Sequence, residues 1–292
     1  MRSLEDFKSI TRRNEPLAPS TWLKTGGSAE YFMTPRNAEE LAEIVRICHQ
    51  TQVPLRVLGG GSNLLVRDEG VKGVVIQLSD PFFSRIEIEG HRVTAGAGAS
   101  LSHLISQSTK AGLAGLDVLV GIPGTVGGAL HGNAGGKSGD IGQHVISAKV
   151  LTANGDIHVR REDELSFAYR FSSLNELIIL EACFELHPED PEAITNRMRT
   201  LWIMKKATQP LTFQSAGCVF KNPRGMSAGW LIEQAGLKGL RQGKAEFSDR
   251  HANFIVTQPG ATSQEVLDLI EQAREKVASQ FGVDLELELQ IW

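Results

Sequence analysis

The chain has little cysteine, no long apolar run and almost no excess charge, and each shortage excludes a class of protein. Its three cysteines, Cys48, Cys183 and Cys218, are an odd number without a C-x-x-C pair, so neither a disulfide framework nor a zinc site is indicated. No apolar run reaches the ~18 residues of a membrane span, and the charged first residues lack the apolar stretch of a signal peptide. We expect a soluble protein of the reducing cytoplasm.

Net charge and histidine spacing exclude two kinds of partner. The formal charge of −4 gives no reason to expect nucleic acid. The eight histidines show no metal-ligand spacing, so no metal is predicted. A length of 292 residues and a hydrophobic content of 41% suit an ordinary globular chain with two or three subdomains.

Glycine, by contrast, is abundant and is concentrated in two clusters. Residues 121–136 (GIPGTVGGALHGNAGG) include seven glycines, and residues 57–65 (VLGGGSNLL) follow a predicted strand. Such clusters favour a backbone that turns with positive φ or approaches a ligand closely, and successive N–H groups in a glycine turn form an anion-binding nest. The spacing of the glycines fits neither the dinucleotide fingerprint G-x-G-x-x-G nor the mononucleotide loop G-x-x-x-x-G-K-S/T. A phosphate-bearing ligand and a purely structural bend both remain open.

The hydrophobic patterns predict helices and strands mixed along the chain, which is the α+β class. We predict a helix after Asn37, a hairpin over 85–97, a helix from 101, a hairpin over 146–159, a buried strand over 177–184, a helix through Met198, a helix after the capping box Thr262 to Glu265, and a final strand over 283–292.

Residues 215–223 (SAGCVFKNP) combine a thiol, a lysine and a carboxamide within five positions. A lone cysteine is more often a buried hydrophobe than a catalyst, so Cys218 alone leaves both interpretations open. Between residues 218 and 254 basic residues outnumber acidic ones by six to three, which indicates either a phosphate- or carboxylate-binding surface or a solvated loop. Arg170 beside Tyr169 needs a partner in its apolar setting, and the pattern cannot separate Glu288 from Glu286.

Several motifs in order carry a resemblance to a known family. They are KTGG at 24–27, LGGGSNLL at 58–65, GIPGTVGG at 121–128, NAG at 133–135, YR at 169–170, AGCVFKNP at 216–223, LIEQAGLKG at 231–239 and HANFIV at 251–256. With them the chain resembles the UDP-N-acetylenolpyruvoylglucosamine reductases from about residue 23 to residue 290. It resembles the shorter form, because only Tyr31 and Tyr169 are present and a loop bearing a gating tyrosine is missing.

The resemblance implies a two-subdomain FAD-binding cradle of the vanillyl-alcohol-oxidase or PCMH type and a C-terminal α+β domain for a UDP-sugar. We expect an N-terminal extension over 1–22, cradle subdomains over 23–80 and 81–194, and the substrate domain over 195–292. FAD would be held non-covalently and reduced by NADPH, and the enolpyruvyl group of UDP-N-acetylglucosamine enolpyruvate would be reduced to UDP-N-acetylmuramate for peptidoglycan synthesis.

The same resemblance assigns roles to individual residues. The catalytic residues are Arg170 and Glu288 as the stabilising pair and Cys218 as the proton donor. The expected FAD contacts are Gly59, Gly60, Gly61, Ser62, Asn63, Leu64, Gly121, Ile122, Pro123, Gly124, Thr125, Gly127, Gly128, Asn133, Ala134 and Gly135. The expected substrate contacts are Tyr169, Lys221, Asn222, Gln234, Arg241, His251 and Asn253.

The chain departs from the family's pattern at two positions. Many members have serine at the position of Cys218 and arginine at that of Gln290. A thiol is mostly protonated near neutral pH and can donate a proton, but Cys218 would be exposed to oxidation.

Two alternative functions stay open. One alternative is another flavoenzyme of the same cradle type, and the other is a flavin-binding module without turnover, in which Arg170, Cys218 and Glu288 would not converge.

Overall fold

The computed structural model describes residues 3–174 and 178–292, and the chain divides into two compact units. Unit 1 comprises Met1–Arg13, Tyr31–Gly60 and Gly73–Met204. Unit 2 comprises Asn14–Glu30, Gly61–Lys72 and Lys205–Trp292. Each unit has an apolar core of its own. The subdomain boundaries expected from the sequence stay a prediction.

Helices and strands are mixed throughout, which confirms the α+β class. The helices are α1 Ala38–Thr51, α2 Leu101–Lys110, α3 Val126–His131, α4 Pro191–Thr208, α5 Ala228–Gln234 and α6 Ser263–Phe281. The strands are β1 Thr11–Pro16, β2 Ser28–Met33, β3 Leu55–Leu58, β4 Leu64–Leu65, β5 Val71–Gln77, β6 Ile86–Glu89, β7 Arg92–Gly96, β8 Leu113–Ala114, β9 Gly135–Gly136, β10 Gly139–Asp140, β11 Val145–Leu151, β12 Ile157–Arg161, β13 Phe167–Ala168, β14 Phe171–Ser172, β15 Ile178–Glu185, β16 His187–Pro188, β17 Gln214–Cys218, β18 Arg241–Gln242, β19 Ala245–Phe247, β20 Phe254–Thr257 and β21 Gln290–Ile291. None of the described helices is both long and apolar enough to span a membrane.

Helix α1 begins as its sequence predicts. The Asn37 side chain accepts a hydrogen bond from Glu40 N (2.9 Å), which satisfies one of the unpaired donors of the first turn. The apolar stripe is buried, and burial raises the pKa of the Cys48 thiol to about 11. The buried stripe consists of Leu41, Ile44, Val45 and Cys48.

A five-stranded antiparallel sheet of order β12-β11-β15-β7-β6 lies in unit 1. Both predicted hairpins are confirmed as β6–β7 and β11–β12, and their turns contain Gly90 (φ 60°) and Gly155 (φ 77°). Strand β15 confirms the prediction over 177–184, except for residue 177, which lies outside the described residues. Alternate side chains of β7 enter the core of unit 1, as the two-residue period of a strand requires. In β15 the alternation is interrupted at Ile179 and Leu180, which are both in the core, next to a register irregularity with β11.

The long glycine run is not a loop throughout, because residues 126–131 form helix α3. Its first turn is capped by Thr125, whose Oγ1 accepts from Gly128 N (3.3 Å). Gly127 lets this helix approach β7 closely, since a Cβ there would lie 2.9 Å from the Cβ of Ala97. Three of the seven glycines therefore fall inside or at the end of a short helix.

Unit 2 contains the antiparallel sheet β17-β20-β19-β18 and helices α5 and α6. The predicted capping box of α6 is confirmed: Thr262 Oγ1 accepts from Glu265 N, and Glu265 accepts from Thr262 N. The helix ends at Gly282 in the left-handed conformation (φ 64°). Its predicted apolar stripe, Val266, Leu269, Ile270, Ala273 and Val277, is buried.

The final strand is much shorter than the predicted span of 283–292. Only β21, Gln290–Ile291, is a strand, and Leu287 forms an isolated bridge with Phe220. The alternation of burial persists, because Leu285 and Leu289 are buried. The ladder is interrupted because Glu288 N and Leu289 N both donate to the Val219 carbonyl.

Candidate functional site

The two glycine clusters meet within unit 1. A Cβ on Gly60 would lie 2.7 Å from the Cα of Gly124, and a Cβ on Gly59 would lie 2.9 Å from Thr125 Oγ1. Real Cβ atoms do not approach other atoms so closely, so both glycines are required by this contact. Within residues 3–174 and 178–292, the N–H groups of Gly59 and Gly60 donate to no acceptor. This pair of donors is suited to an anion.

Most N–H groups of the longer cluster are used within the protein. Ile122 N donates to Leu119 O, Val126 N to Ala99 O, and Gly127 N to Ala97 O. The side chains of Ile122 and Ala134 pack against the core of unit 1, whereas Pro123 is exposed. Gly121 (φ 79°) and Gly124 (φ 120°) take conformations open only to glycine at low cost. The cluster is therefore a rigid turn. Its shape can fit a ligand, but most of its N–H groups are already hydrogen-bonded within the protein.

Asn133 is buried beneath the predicted catalytic arginine's turn. Its Oδ1 accepts from Gly142 N (3.0 Å), and its Nδ2 donates to the Ala168 carbonyl (2.8 Å). The side chain is only 1% exposed. Both ends of the carboxamide thus bind backbone of unit 1.

Tyr169 and Arg170 form the two-residue turn between β13 and β14. Arg170 has φ 54°, which is uncommon for a residue with a side chain. Its Nη1 donates to the Gly135 carbonyl (3.1 Å), and its guanidinium lies 5.3 Å from the centre of the Tyr169 ring. Sequence predicted the pair as a site but gave no sign of this backbone strain.

In unit 2, Cys218 and Glu288 lie on neighbouring segments. Glu288 N donates to the carbonyl of Val219 (2.9 Å), the residue after Cys218. Asn63 also binds the backbone of Glu288, because its Nδ2 donates to the Glu288 carbonyl (2.9 Å). Gly61 (φ 62°) and Ser62 come just before Asn63 in the same turn, and Leu64 follows it as the first residue of β4. Cys218 is partly exposed and ends β17.

Asn253 fixes the segment that follows Cys218. Its Oδ1 accepts from Phe220 N (3.0 Å), and its Nδ2 donates to the Phe220 carbonyl (2.8 Å). Both residues are buried. Lys221 comes next and forms an ion pair with Glu286, while Asn222 Oδ1 accepts from Ala228 N (3.0 Å) at the start of α5.

The remaining predicted substrate residues lie on the surface of unit 2. Gln234 is exposed at the end of α5, and Arg241 forms an ion pair with Glu246 across β18 and β19. Burial lowers the pKa of His251, whose Nδ1 accepts from Asn253 N (3.3 Å). A neutral imidazole is consistent with both facts.

A buried ion pair that the sequence analysis missed anchors the base of the long glycine run. Arg197 Nε lies 2.6 Å from Asp117 Oδ2, and the Arg197 fork binds both oxygens of Glu189 (2.8 and 2.9 Å). Burial opposes ionisation of Asp117, but hydrogen bonds from Arg197 and Gly115 N outweigh it and lower its pKa. Asp117 lies 72 or more positions before Glu189 and Arg197, which are close to each other in the sequence. No local pattern could therefore have indicated this cluster.

No group of three or more histidine, cysteine or acidic side chains in the described part of the chain could hold a metal ion. Arg170 belongs to unit 1, whereas Cys218 and Glu288 belong to unit 2. Within unit 2, the backbone of Glu288 is hydrogen-bonded to Val219, the residue after Cys218. The convergence of all three stays a prediction.

Comparison with known proteins defines first the class and then the family. Residues 29–160 match the model of an FAD binding domain, and residues 209–292 match the model of the UDP-N-acetylenolpyruvoylglucosamine reductase C-terminal domain. The fold of part of the chain is also similar to that of Phl p 4.0202, a glucose dehydrogenase (TM-score 0.51, 20% identity, 63% of this chain and 42% of that one). The class is therefore a flavoprotein with a PCMH-type FAD-binding domain.

Full-length relatives show the family. A UDP-N-acetylenolpyruvoylglucosamine reductase 2 of Symbiobacterium thermophilum is 44% identical over 100% of this chain and 95% of its own length, and a reductase of Moorella thermoacetica is 42% identical over 96% and 92%. The crystal structure of the reductase from Thermus caldophilus has a TM-score of 0.85 at 39% identity, covering 97% of this chain and all of that one. The chain belongs to the UDP-N-acetylenolpyruvoylglucosamine reductase family.

Proposed function

We propose that this chain reduces the enolpyruvyl group of UDP-N-acetylglucosamine enolpyruvate to UDP-N-acetylmuramate, a step of peptidoglycan precursor synthesis. NADPH is the reductant and FAD the non-covalent cofactor. The observation that supports the proposal most directly is the hydrogen bond from Glu288 N to the carbonyl of Val219 (2.9 Å), the residue after Cys218. Both lie in the region that matches the family's C-terminal domain.

The glycine clusters fit a flavin dinucleotide. The Gly59 and Gly60 N–H groups, which have no acceptor among the described residues, are suited to its diphosphate. Gly121, Gly124 and Thr125 shape the facing turn. The chemistry that bound FAD supplies is hydride transfer from NADPH to the enolpyruvyl double bond.

The protein's part in the reaction is to hold charge and deliver a proton. Hydride addition at the terminal carbon places negative charge on the carbon beside the carboxylate. Arg170 and Glu288 are the pair that stabilises this charge, Arg170 as a cation and Glu288 in its protonated form as a hydrogen-bond donor, because a preorganised cation or donor there lowers the barrier. The Cys218 thiol gives its proton to the charged carbon, and solvent then reprotonates the thiolate. The atoms and electrons balance with one NADPH consumed for each product.

The proposed substrate contacts are Tyr169, which belongs to unit 1, and six residues of unit 2. For the carboxylate, sugar and diphosphate the proposed set is Tyr169, Lys221, Asn222, Gln234, Arg241, His251 and Asn253. Arg224, Lys244 and Arg250 are exposed and make no ion pair within the described residues, so they add positive charge that attracts a diphosphate. No nucleic-acid or membrane partner belongs to this proposal.

The cytoplasm is the proposed compartment. All three cysteines are described, and none of them forms a disulfide, which is usual in a reducing environment. NADPH and nucleotide sugars are also substrates of that compartment in the proposed reaction.

Spectroscopy of the purified protein tests the function directly. A flavin spectrum is expected, with bleaching by NADPH and recovery when UDP-N-acetylglucosamine enolpyruvate is added without oxygen. Bleaching that is not reversed by this substrate would indicate another flavoenzyme or a flavin-binding module. Absence of flavin absorbance after reconstitution with FAD would contradict the cofactor assignment.

A further inference from the structure

The Asn133 carboxamide joins two stretches of unit 1 backbone that are distant in sequence. Its partners Gly142 and Ala168 lie 9 and 35 residues away. The side chain is 1% exposed, so loss of either hydrogen bond would leave a buried polar group without a partner. Asn133 itself has φ 44°, a conformation that asparagine tolerates better than most residues.

The Ala168 carbonyl that Asn133 binds comes just before the Tyr169–Arg170 turn. Strands β13 and β14 pair over two residues each, and Ser166 and Ser173 extend the hairpin by two hydrogen bonds, Ser173 N to Ser166 O (2.9 Å) and Ser166 N to Ser173 Oγ (3.0 Å). A two-stranded hairpin this short is at best marginally stable without other contacts. Arg170 at φ 54° also adds backbone strain. Such a conformation persists only where the surroundings hold it.

Contacts from the same loop hold the turn at two further points. The Gly135 carbonyl accepts from Arg170 Nη1 (3.1 Å). Gly142 packs so closely on the first residue of β13 that a Cβ there would lie 2.4 Å from Phe167 Cγ. Residues 133–142 therefore form a collar around the base of the turn, and Asn133 is its only side chain with both polar atoms in those contacts.

We propose that Asn133 is a positioning residue that fixes the direction of the Arg170 guanidinium by clamping the 133–142 collar to Ala168. The inference rests on the proposed function, because it assigns Asn133 to the step in which Arg170 acts. It differs from a direct contact with FAD, in which Asn133 would act on cofactor binding.

The test separates the two half-reactions of the FAD-loaded enzyme by stopped flow. In Asn133→Gly, the backbone keeps its positive φ without strain, while both side-chain hydrogen bonds are lost. We expect bleaching by NADPH at close to the wild-type rate and reoxidation by UDP-N-acetylglucosamine enolpyruvate slowed about 10- to 100-fold, the effect of a misplaced catalytic group. Asn133→Asp, which retains the acceptor for Gly142 N–H and loses the donor to Ala168, should show the same pattern.

A double-mutant cycle distinguishes positioning from general damage. If Asn133 acts through Arg170, Asn133→Gly should slow reoxidation by less than about two-fold in an Arg170→Lys background, because coupled residues are not additive. Full additivity would overturn the proposal.

Gly132→Ala is the matched control. It lies beside Asn133, has φ −102°, and a Cβ there would meet nothing within 4 Å, so both half-reactions should be unchanged. Loss of FAD from both Asn133 variants, with normal reoxidation after reconstitution, would overturn the inference in favour of cofactor binding. A wild-type enzyme that is not reoxidised by the substrate would instead refute the proposed function, which is a separate outcome.

Discussion

Two buried asparagines hold the backbone next to predicted catalytic residues, but they do so in different ways. Asn253 in unit 2 binds the N–H and the carbonyl of one residue, Phe220. Asn133 in unit 1 binds the N–H of one segment and the carbonyl of another. Asn253 thus replaces a missing strand partner, whereas Asn133 joins two loops.

The charges around the two asparagines differ as well. Unit 1 anchors its glycine run with Asp117, which is 3% exposed and bound to Arg197. The ion pairs Lys221–Glu286 and Arg241–Glu246 in unit 2 each include a largely exposed side chain, and such pairs contribute about 0–1 kcal/mol. Of these three ion pairs, only Asp117–Arg197 has a carboxylate that is almost fully buried.

The largest expected effect comes from Cys218, which precedes the segment that Asn253 fixes, and it tests whether this thiol is the proton donor. Cys218→Ala should slow substrate-driven reoxidation about 100-fold or more, because general-acid catalysis contributes about 10²–10⁴-fold. Cys218→Ser retains a proton donor and should stay active. Stopped-flow reoxidation of the reduced enzyme measures both.

The same pair of variants tests oxidation. Mild peroxide should lower wild-type activity, and a thiol reductant should restore it, as expected for a sulfenic acid or mixed disulfide. Cys218→Ser should be insensitive. A serine variant that is active and equally sensitive to peroxide would show that another group is oxidised.

Removal of the buried ion pair should affect unit 1 next most strongly. Arg197→Met leaves the buried Asp117 carboxylate without its cation, and the melting temperature measured by circular dichroism should fall. The cost should be less than the about 3–5 kcal/mol of a fully buried pair, because the Arg197 side chain is 39% exposed. Lys238→Met, which removes the Lys238–Glu233 surface pair of unit 2, is the control and should change it little.

The pH dependence of that loss has a definite sign. The pKa of Asp117 is lowered in the folded protein, so the pair stabilises fully above the ordinary carboxyl pKa of about 3.9 and its contribution is lost as pH falls below it. The difference in stability between wild type and Arg197→Met should therefore shrink toward pH 3. A difference that stays constant with pH would contradict the assignment.

Loss of Asn253 should cost somewhat less. Asn253→Ala leaves the buried N–H and carbonyl of Phe220 unsatisfied, at about 1–3 kcal/mol for each group, less whatever water can replace. In contrast to Asn133→Gly, we expect a clear fall in the melting temperature rather than a selective loss of reoxidation. Equal thermal and kinetic effects for the two asparagines would remove the distinction between them.

The smallest effect concerns the glycine before Cys218. Gly217 has φ 78°, and a Cβ there would meet nothing within 4 Å, so Gly217→Ala should cost about 1 kcal/mol through backbone strain alone. Gly217→Asn should cost less, because asparagine tolerates that conformation. Gly60→Ala, which meets Gly124 at 2.7 Å, should cost more than either in thermal unfolding.

Local patterns predicted the elements well because their causes are local. The cap at Asn37, the capping box at Thr262 and the turns at Gly90 and Gly155 all act within a few residues. The last strand was overestimated because alternation reports burial, while pairing depends on the partner. Here the last segment itself bulges at Glu288 and Leu289, whose N–H groups both donate to the Val219 carbonyl.

The candidate site was only partly predictable. The motifs singled out Asn133 and Asn253 as ligand contacts, but each side chain binds backbone far away in sequence. The Asp117–Arg197 pair is 80 residues apart and carries no motif. Packing decides such contacts, so they cannot be read from spacing.

The sequence by itself determined the class of fold, the family and the places where the backbone must turn, because glycines, caps and alternating strands act locally. The tertiary structure decided what the glycines and asparagines do there. Gly59 and Gly60 are needed for contact with Gly124 and Thr125, and the two asparagines satisfy buried backbone groups. The physical reason is that a buried polar group must find a partner, and only the folded chain determines which one is near.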